Sequence, residues 1–272
     1  MDISIVIVNY RSKDLVLNCI RSIKNADWPG LDYEIIVVDN YSGDLSGNDL
    51  KQFGEIKFIM NGRNIGLGAA NNKGIGLAQG KYIVIMNPDT LAGKDIFIKL
   101  FTYMENHPKV GVVGPKQYSP DNTVQDSCFR WPELMTPLFR RTPLGRIWLG
   151  KKDLDRFLYK DYNKDSQREV DWLLGSFLFC RASALRQIGL YDERFFLYFE
   201  DTDLCKRFWQ DGWKVVYNPQ VVITHNHARQ SAHVVWYKFF TSLAAWHHII
   251  SWLKYLKKWG ISARGGSASG GK

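Results

Sequence analysis

The sequence predicts an α/β fold with a mostly parallel central sheet flanked by helices. Apolar segments of strand length alternate with helix-forming segments over the first 115 residues. The run Ile35–Val38 is continuously apolar, as in a strand buried on both faces. Strands separated by helices form βαβ units, and these units place parallel strands side by side.

The elements follow in order from these patterns. The predicted strands of the first part cover residues 3–10, 33–40, 56–60, 81–87 and 110–113. A helix begins after Ser12, since the apolar residues that follow recur at helical spacing. Prolines interrupt residues 116–168, which predicts a long excursion with short helices. Two late strands are predicted at residues 213–217 and 221–224.

The chain is expected to have three parts. Residues 1–230 form the α/β domain, residues 231–260 an amphipathic aromatic and basic helical appendage, and residues 261–272 a flexible tail of the composition used in expression linkers. In the appendage, apolar residues repeat at helical spacing among tryptophans and lysines, at Val235, Phe239, Trp246, Ile250 and Leu253. This pattern is typical of a helix in a membrane interface. The alternative is a helix packed on the domain or on a partner subunit, as in a homodimer.

Charge and composition restrict the partners. The net charge of +9 predicts an anionic partner such as an acidic membrane surface or a phosphorylated substrate. Nucleic acid is not expected, because no nucleic-acid-binding motif is present. No apolar run approaches the length of a membrane span, no signal-peptide pattern opens the chain, and the four cysteines lack metal-site spacing. The expected location is cytoplasmic, peripherally associated with the inner face of the cell membrane.

Polar residues end three of the predicted strands. They are Asn9-Tyr10-Arg11, Asp39-Asn40 and Asn87-Pro88-Asp89. Ligands of open parallel sheets bind beyond the carboxyl ends of the strands, so these endings predict a pocket at one rim. Asp39 can accept hydrogen bonds from a base or a ribose, and Tyr10 can cover a base. Asp89 can hold Mg²⁺ or Mn²⁺ beside a diphosphate.

A glycine-rich turn, residues 64–72, enters a helix after the third strand. A dinucleotide-binding dehydrogenase carries such a turn after its first strand and has a third glycine where this chain has Asn71, so that class is excluded. Gly66 and Gly68 are expected to allow close approach of a ligand. A sugar nucleotidyltransferase is disfavoured as well, since residues 9–13 contain no glycine for a triphosphate loop.

Three carboxylates follow an aromatic run at residues 195–199. They are Glu200, Asp201 and Asp203. Burial beside aromatic rings raises a carboxyl pKa and makes the group a better proton acceptor near neutral pH. The alternative is an acidic helix cap packed on an aromatic core, since a helix N-terminus favours acids.

The order of these motifs resembles the family 2 inverting glycosyltransferases of GT-A fold, and most of all their bacterial rhamnosyltransferase-like branch. The resemblance covers about residues 3–230 and adds Gly175-Ser176 and the late His225 to the motifs above. It implies a nucleotide-sugar donor, a divalent cation and one displacement at the anomeric carbon. The expected reaction moves a hexose, L-rhamnose from a dTDP donor, to a lipid-linked or glycan acceptor in bacterial surface polysaccharide synthesis. The alternatives are a UDP-hexose donor and a non-catalytic nucleotide-sugar-binding relative.

The resemblance also implies roles for single residues. Nucleotide binding is implied for Asn9, Tyr10, Arg11, Asp39, Asn40, Asn64, Gly66, Asn71 and Asn87. Metal binding is implied for Asp89 and His225, with His227 as a competing candidate, and Asn87 replaces the first acid of the family's Asp-x-Asp motif. Asp201 is expected to be the catalytic base, with Glu200 as the alternative. The donor-sugar and acceptor site is expected to include Trp172, Gly175, Ser176 and Asp203. The alternatives are a core position for Trp172 and a helix-capping or orienting role for Asp203.

Overall fold

The computed structural model describes residues 1–226 and 243–260 of the chain, and its centre is a mixed β-sheet. The strands are β1 Ile3–Asn9, β2 Tyr33–Asp39, β3 Lys57–Met60, β4 Tyr82–Met86, β5 Thr90–Ala92, β6 Val110–Tyr118, β7 Val124–Gln125, β8 Cys128–Phe129, β9 Arg168–Glu169, β10 Trp172–Leu173, β11 Phe177–Arg181 and β12 Lys214–His225. The main path of the sheet runs β3-β2-β1-β4-β11-β6-β12-β5.

Helices cover both faces of this sheet. They are α1 Lys13–Lys24, α2 Gly47–Leu50, α3 Leu67–Leu77, α4 Ile96–Asn106, α5 Thr136–Arg141, α6 Trp148–Phe157, α7 Ala182–Gln187, α8 Glu200–Gln210 and α9 Leu243–Trp259, with 3₁₀ turns at Lys51–Phe53 and Pro143–Arg146. Helices α1 and α4 pack on one face, and α3, α7 and α8 on the other. The α/β class with helices flanking the sheet is confirmed.

The first half of the sheet is parallel, as predicted. Strand β1 pairs with β2 on one side and with β4 on the other, both in parallel. The register sets Asn9 opposite Asp39, and Ile7 opposite Met86. The polar residues that follow these strands therefore meet at one rim.

The second half differs from the predicted elements. Strand β6 continues to Tyr118, beyond the predicted end at residue 113, and the two predicted late strands are one strand, β12. Both differences have one cause: β12 pairs with β6 on either side of a bulge between Asn218 and Val222. Strand β11 lies between β4 and β6 and is antiparallel to both, so the sheet is mixed.

The excursion and the C-terminal helix complete the fold. Residues 116–168 contain the expected short helices, α5 and α6. Helix α9 buries Ser251 and Tyr255 against the segment that precedes α8, so one face of the predicted appendage packs on the domain. Val235 and Phe239 lie outside the described residues. Within the described ranges, every helix is too short or too polar to cross a membrane.

Candidate active site

The ends of β1 and β2 form a buried polar cluster around Asn9. Its amide nitrogen donates to Asp39 at 2.7 Å, to Ser42 at 2.9 Å and to Asp44 at 2.8 Å, while its oxygen accepts from Ser12. The Asn9 side chain is therefore buried and organises the rim, and its contact with a nucleotide stays a prediction. Asp39 is buried too, and its Oδ2 accepts from the Ser42 amide at 3.0 Å.

Ser12 takes part in the same cluster. It occupies the predicted N-cap position of α1 but makes no side-chain bond to the helix, because its hydroxyl donates to Asn9 Oδ1.

Asn40 and Asn64 join this rim to the glycine-rich turn. Asn40 donates to Asn64 Oδ1 at 2.9 Å and accepts from Asn61 and from the Ile65 amide, both at 3.1 Å. Asn64 in turn accepts from the Gly66 amide at 3.0 Å. The side chains of Asn40 and Asn64 thus connect the rim to the turn, and their contact with a nucleotide stays a prediction.

Gly66 closely approaches another part of the chain, and its contact with a ligand stays a prediction. Its φ is +89°, and a Cβ at this position would lie 2.7 Å from the Phe196 carbonyl oxygen. The Leu67 amide donates to that oxygen at 2.9 Å. Gly68 leaves similar room for Tyr191, with a Cβ distance of 3.2 Å. The turn therefore packs on the segment that leads into α8.

Other nucleotide-binding candidates occupy the same rim with different exposure. Tyr10 is 45% exposed, and Arg11, also exposed, lies with its guanidinium 5.5 Å from the Tyr10 ring. Asn87 is partly buried after β4, whereas Asn71 is buried within α3. Tyr10 and Arg11 are thus the candidates of this group that most clearly face solvent.

Asp89, in the loop after β4, lies beside His225 at the end of β12. Strand β5 pairs Thr90 with His225 of β12, which brings His225 Nε2 within 3.4 Å of Asp89 Oδ1. Gln125 Nε2 donates to the His225 carbonyl at 2.8 Å, so its Oε1 is left to accept from Nδ1, 3.0 Å away. With Nδ1 as the donor, a neutral imidazole has its lone pair at Nε2, on the side of Asp89.

A divalent cation fits this pair chemically. Asp89 Oδ1 is buried without a hydrogen-bond partner, and the adjacent imidazole nitrogen is itself a good ligand. The described residues contain no group of three or more His, Cys, Asp or Glu side chains that could hold a metal by themselves. A cation here would need oxygens from a ligand such as a diphosphate. His227 lies outside the described residues.

Glu200 and Asp201 open helix α8 and are both buried. Asp201 Oδ2 accepts from the Gly175 amide at 3.0 Å, and its Oδ1 accepts from the Thr202 amide at 2.7 Å. Glu200 Oε2 is buried without a hydrogen-bond partner. The two neighbouring carboxyls therefore have different environments.

The pKa values of the pair follow from these environments. Burial, and secondarily the charge of Asp201, raise the pKa of Glu200 to about 8. Burial also raises the pKa of Asp201, but the bonds from Gly175 and Thr202 favour its charged form and oppose that rise. The two backbone donors thus favour the charged form of Asp201, whereas burial favours the protonated form of Glu200 near neutral pH.

A strained turn precedes the pair. Tyr198 and Phe199 have φ values of +70° and +66°, in the left-handed region that bulky side chains avoid. Such a conformation costs about 1–2 kcal/mol for each residue. The turn is held by contacts from other parts of the chain, since strained backbone persists only where its surroundings enforce it.

Gly175 and Ser176 connect the acidic pair to the loop after β4. The Gly175 amide bonds Asp201, and the Ser176 carbonyl accepts from the Asn87 amide at 2.9 Å and from Thr90 Oγ1 at 3.3 Å. The Ser176 hydroxyl is buried against Gln117 at 2.7 Å. Ser176 thus links the two loops, and its contact with sugar or acceptor stays a prediction.

Trp172 and Asp203, which were also expected at the sugar and acceptor site, have protein partners in the structure. Trp172 is 6% exposed, stacks on Phe129 with ring centres 4.4 Å apart, and donates to the Arg130 carbonyl, so it is a core residue. Asp203 is fully buried, with Arg207 Nε at 2.8 Å and Lys258 Nζ at 2.6 Å. Its carboxylate joins α8 to α9.

Two residues of this region were missed by sequence reasoning. Gln117 fixes Ser176, and Gln125 orients His225. Gln117 lies in the part of β6 beyond its predicted end. Gln125 belongs to the two-residue strand β7, which is too short to leave a periodic pattern.

Comparison with known proteins identifies the family. The family described as glycosyl transferase family 2 matches residues 4–185. An N-acetylglucosaminyl-diphospho-decaprenol L-rhamnosyltransferase of Mycobacterium tuberculosis is 29% identical over 72% of this chain and 67% of its own length. Rhamnosyltransferase WbbL of Escherichia coli is 26% identical over 93% of this chain and 92% of its own.

Solved structures show the same fold. The crystal structure of GalNAc-T7 with UDP, GalNAc and Mn²⁺ has a TM-score of 0.62 at 15% identity and covers 83% of this chain. The match spans 44% of that protein, so this chain corresponds to less than half of its length. The GT-A fold is thereby confirmed.

The raised pKa of Glu200 predicts a pH-dependent stability. Folded Glu200 keeps its proton up to about pH 8, whereas the unfolded chain releases it above its usual pKa near 4.5. Unfolding therefore releases a proton in this window, and the free energy of unfolding should fall as pH rises from about 5 to 8. The free energy of unfolding of the variant Glu200→Gln, measured by urea denaturation without ligands, should fall less over this pH range. The exposed Glu55→Gln is the control, and an equal fall in both variants would contradict the assignment.

Proposed function

The chain belongs to glycosyl transferase family 2, and from that premise we propose that it is an inverting rhamnosyltransferase of bacterial surface polysaccharide synthesis. It transfers L-rhamnose from dTDP-rhamnose to a lipid-linked or oligosaccharide acceptor. The donor is proposed because two relatives bear rhamnosyltransferase names, and a lipid-linked acceptor because one name includes a diphospho-decaprenol. A UDP-hexose is the alternative donor.

One observation supports this function most. The Gly175–Ser176 backbone binds the Asp201 carboxylate on one side and the Asn87–Thr90 loop, which contains Asp89, on the other. A candidate base and a candidate cation site are thus held in one hydrogen-bonded frame. A glycosyl transfer can use both, since a proton is removed from the acceptor hydroxyl and negative charge accumulates on the leaving diphosphate.

In the proposed reaction Asp201 is the general base. The acceptor oxygen forms a bond to the anomeric carbon while its proton passes to the Asp201 carboxylate. The bond from that carbon to the diphosphate oxygen breaks, and the nucleoside diphosphate leaves with the electron pair. Glu200, protonated near neutral pH, keeps a second negative charge away from Asp201.

The nucleotide and cation are proposed to lie along the rim of the sheet. Tyr10 and Arg11 are exposed between the end of β1 and the start of α1, where they can contact the base. Asp39 is buried at the same edge of the sheet. Asp89 and His225 are the residues that would hold Mg²⁺ or Mn²⁺. When bound, the cation would neutralise charge on the leaving diphosphate.

We also propose that the outer face of α9 binds an anionic membrane surface at the inner face of the cell membrane. Leu243, Ile250 and Leu253 are 79%, 44% and 58% exposed on this helix, and the chain carries a net charge of +9. Apolar side chains inserted at headgroup depth, together with attraction to anionic lipid, suit a helix that lies in the interface.

The base assignment predicts the behaviour of Asp201→Asn. Its kcat should fall by about 10²-fold or more, because an amide cannot take the acceptor proton. Binding of the donor nucleotide, measured by calorimetry, should change little. The control is Asp211→Asn at the exposed end of the same helix. Near wild-type turnover of Asp201→Asn would transfer the role to Glu200, and a chain that binds donor without any turnover would be a non-catalytic relative.

The cation assignment predicts that EDTA abolishes transfer and that added Mn²⁺ restores it. Asp89→Asn should weaken Mn²⁺ binding in the presence of nucleoside diphosphate, measured by calorimetry, because a carboxylate ligand is lost. The control is Asp95→Asn, which makes the same change at an exposed carboxylate whose partner is Lys99. Full activity in EDTA would exclude the cation and leave a basic side chain, such as Arg229 outside the described residues, to bind the diphosphate.

The membrane assignment predicts that Ile250→Ser with Leu253→Ser releases the chain from phosphatidylglycerol vesicles in a sedimentation assay. Salt should weaken binding of the wild-type chain only in part, because the apolar share of binding is not screened. Met60→Ser with Leu77→Ser, two exposed positions on β3 and at the end of α3, is the control. Unchanged sedimentation of the α9 variant would contradict the proposal, and a change from dimer to monomer instead would assign the face to a second copy of the chain.

A further inference from the structure

The inner face of α9 covers the strained turn before the acidic pair. The Phe199 ring packs against three α9 rings, with centre distances of 5.1 Å to His248, 5.2 Å to Trp252 and 5.5 Å to Tyr255. Ser251 Oγ donates to the Leu197 carbonyl at 2.8 Å. The helix thus fixes both the side chain and the backbone of the turn.

The same helix reaches past the turn to the first turn of α8. Lys258 Nζ lies 2.6 Å and Trp259 Nε1 lies 2.9 Å from the same oxygen of buried Asp203, Oδ1. The Asp203 amide donates to the Phe199 carbonyl at 2.9 Å. Lys258 also pairs with Asp192, which precedes the strained turn in the sequence, at a distance of 2.7 Å. Contacts from α9 therefore lie on both sides of Glu200 and Asp201 in the sequence.

The geometry points to a positioning function for α9: Lys258 and Trp259, through Asp203, together with Ser251, hold Glu200 and Asp201 in their working geometry. This inference rests on the proposed function of the acidic pair and goes beyond a role of α9 in membrane binding. Left-handed backbone at Tyr198 and Phe199 persists only while surrounding contacts enforce it. When the α9 contacts are lost, the turn can relax, and Asp201 then shifts relative to the Gly175 amide.

The test uses three full-length variants and a soluble acceptor, so that membrane binding does not contribute. Lys258→Met removes the ion pairs with Asp203 and Asp192, Lys258→Arg keeps the charge, and Lys257→Met is the exposed neighbour on the same helix. We expect kcat of Lys258→Met to fall at least about tenfold, since small misplacements of a catalytic group have large kinetic effects. The donor KM and calorimetric donor affinity should remain unchanged, and Lys258→Arg should recover most of the loss. Lys257→Met should behave as the wild type.

A second measurement keeps the inference testable without activity. Hydrogen exchange of the amides in residues 196–203 should be faster in Lys258→Met than in Lys257→Met, because the turn is released. Equal exchange and equal kcat in these two variants would overturn the inference. If Lys258→Met does not fold, Ser251→Ala, which removes one hydrogen bond, takes its place with the same expectations and the same overturning result.

The two proposals fail in different ways. A wild-type chain that transfers no sugar from any nucleotide donor would refute the proposed function, while the exchange difference would still decide whether α9 fixes the turn. An active wild type with unaffected Lys258→Met and Ser251→Ala variants would refute only the positioning function.

Discussion

The hydrogen bond from the Gly175 amide to Asp201 is the contact on which the site depends. A Cβ at position 175 would lie 3.1 Å from the Asp201 Cβ, so glycine permits this approach. The next carbonyl, that of Ser176, receives bonds from Asn87 and Thr90 at the end of β4. One dipeptide thereby joins the acidic helix to the loop that contains Asp89.

Burial of the acidic pair is costly, and the surrounding structure offsets that cost. Charged carboxylates lose solvation when buried, and the left-handed turn before them is strained. The offsetting contacts come from distant parts of the chain. Gly66 and Gly68 bring α3 against the turn, and α9 packs on it from another side. Burial of apolar surface in these contacts thus stabilises a local structure that residues 195–203 alone would not adopt.

The location of the site was easier to predict from the sequence than the contacts of its residues. Strands β1, β2 and β4 were predictable because continuous apolar runs end in polar residues, and this also located the rim. Asn9, Asn40 and Ser176 were expected to contact ligands, and in the structure their side chains bond to other protein side chains. A polar residue after a strand has the same sequence signature in both cases, and only its tertiary partners distinguish them. The antiparallel insertion of β11 and the contacts of Gln125 depend on such long-range pairing as well.

The position of β11 in the sheet constrains the order in which the protein can fold. Strands β1 to β4 come from the first 86 residues and can pair with each other as soon as they leave the ribosome. The β4 edge of these four strands has no partner until β11, residues 177–181, pairs with it, and these residues are synthesised much later. Until then an apolar strand edge stays open to other chains, a known route to aggregation. Chaperone protection during synthesis is therefore most valuable while the ribosome translates the excursion that separates β6 from β11.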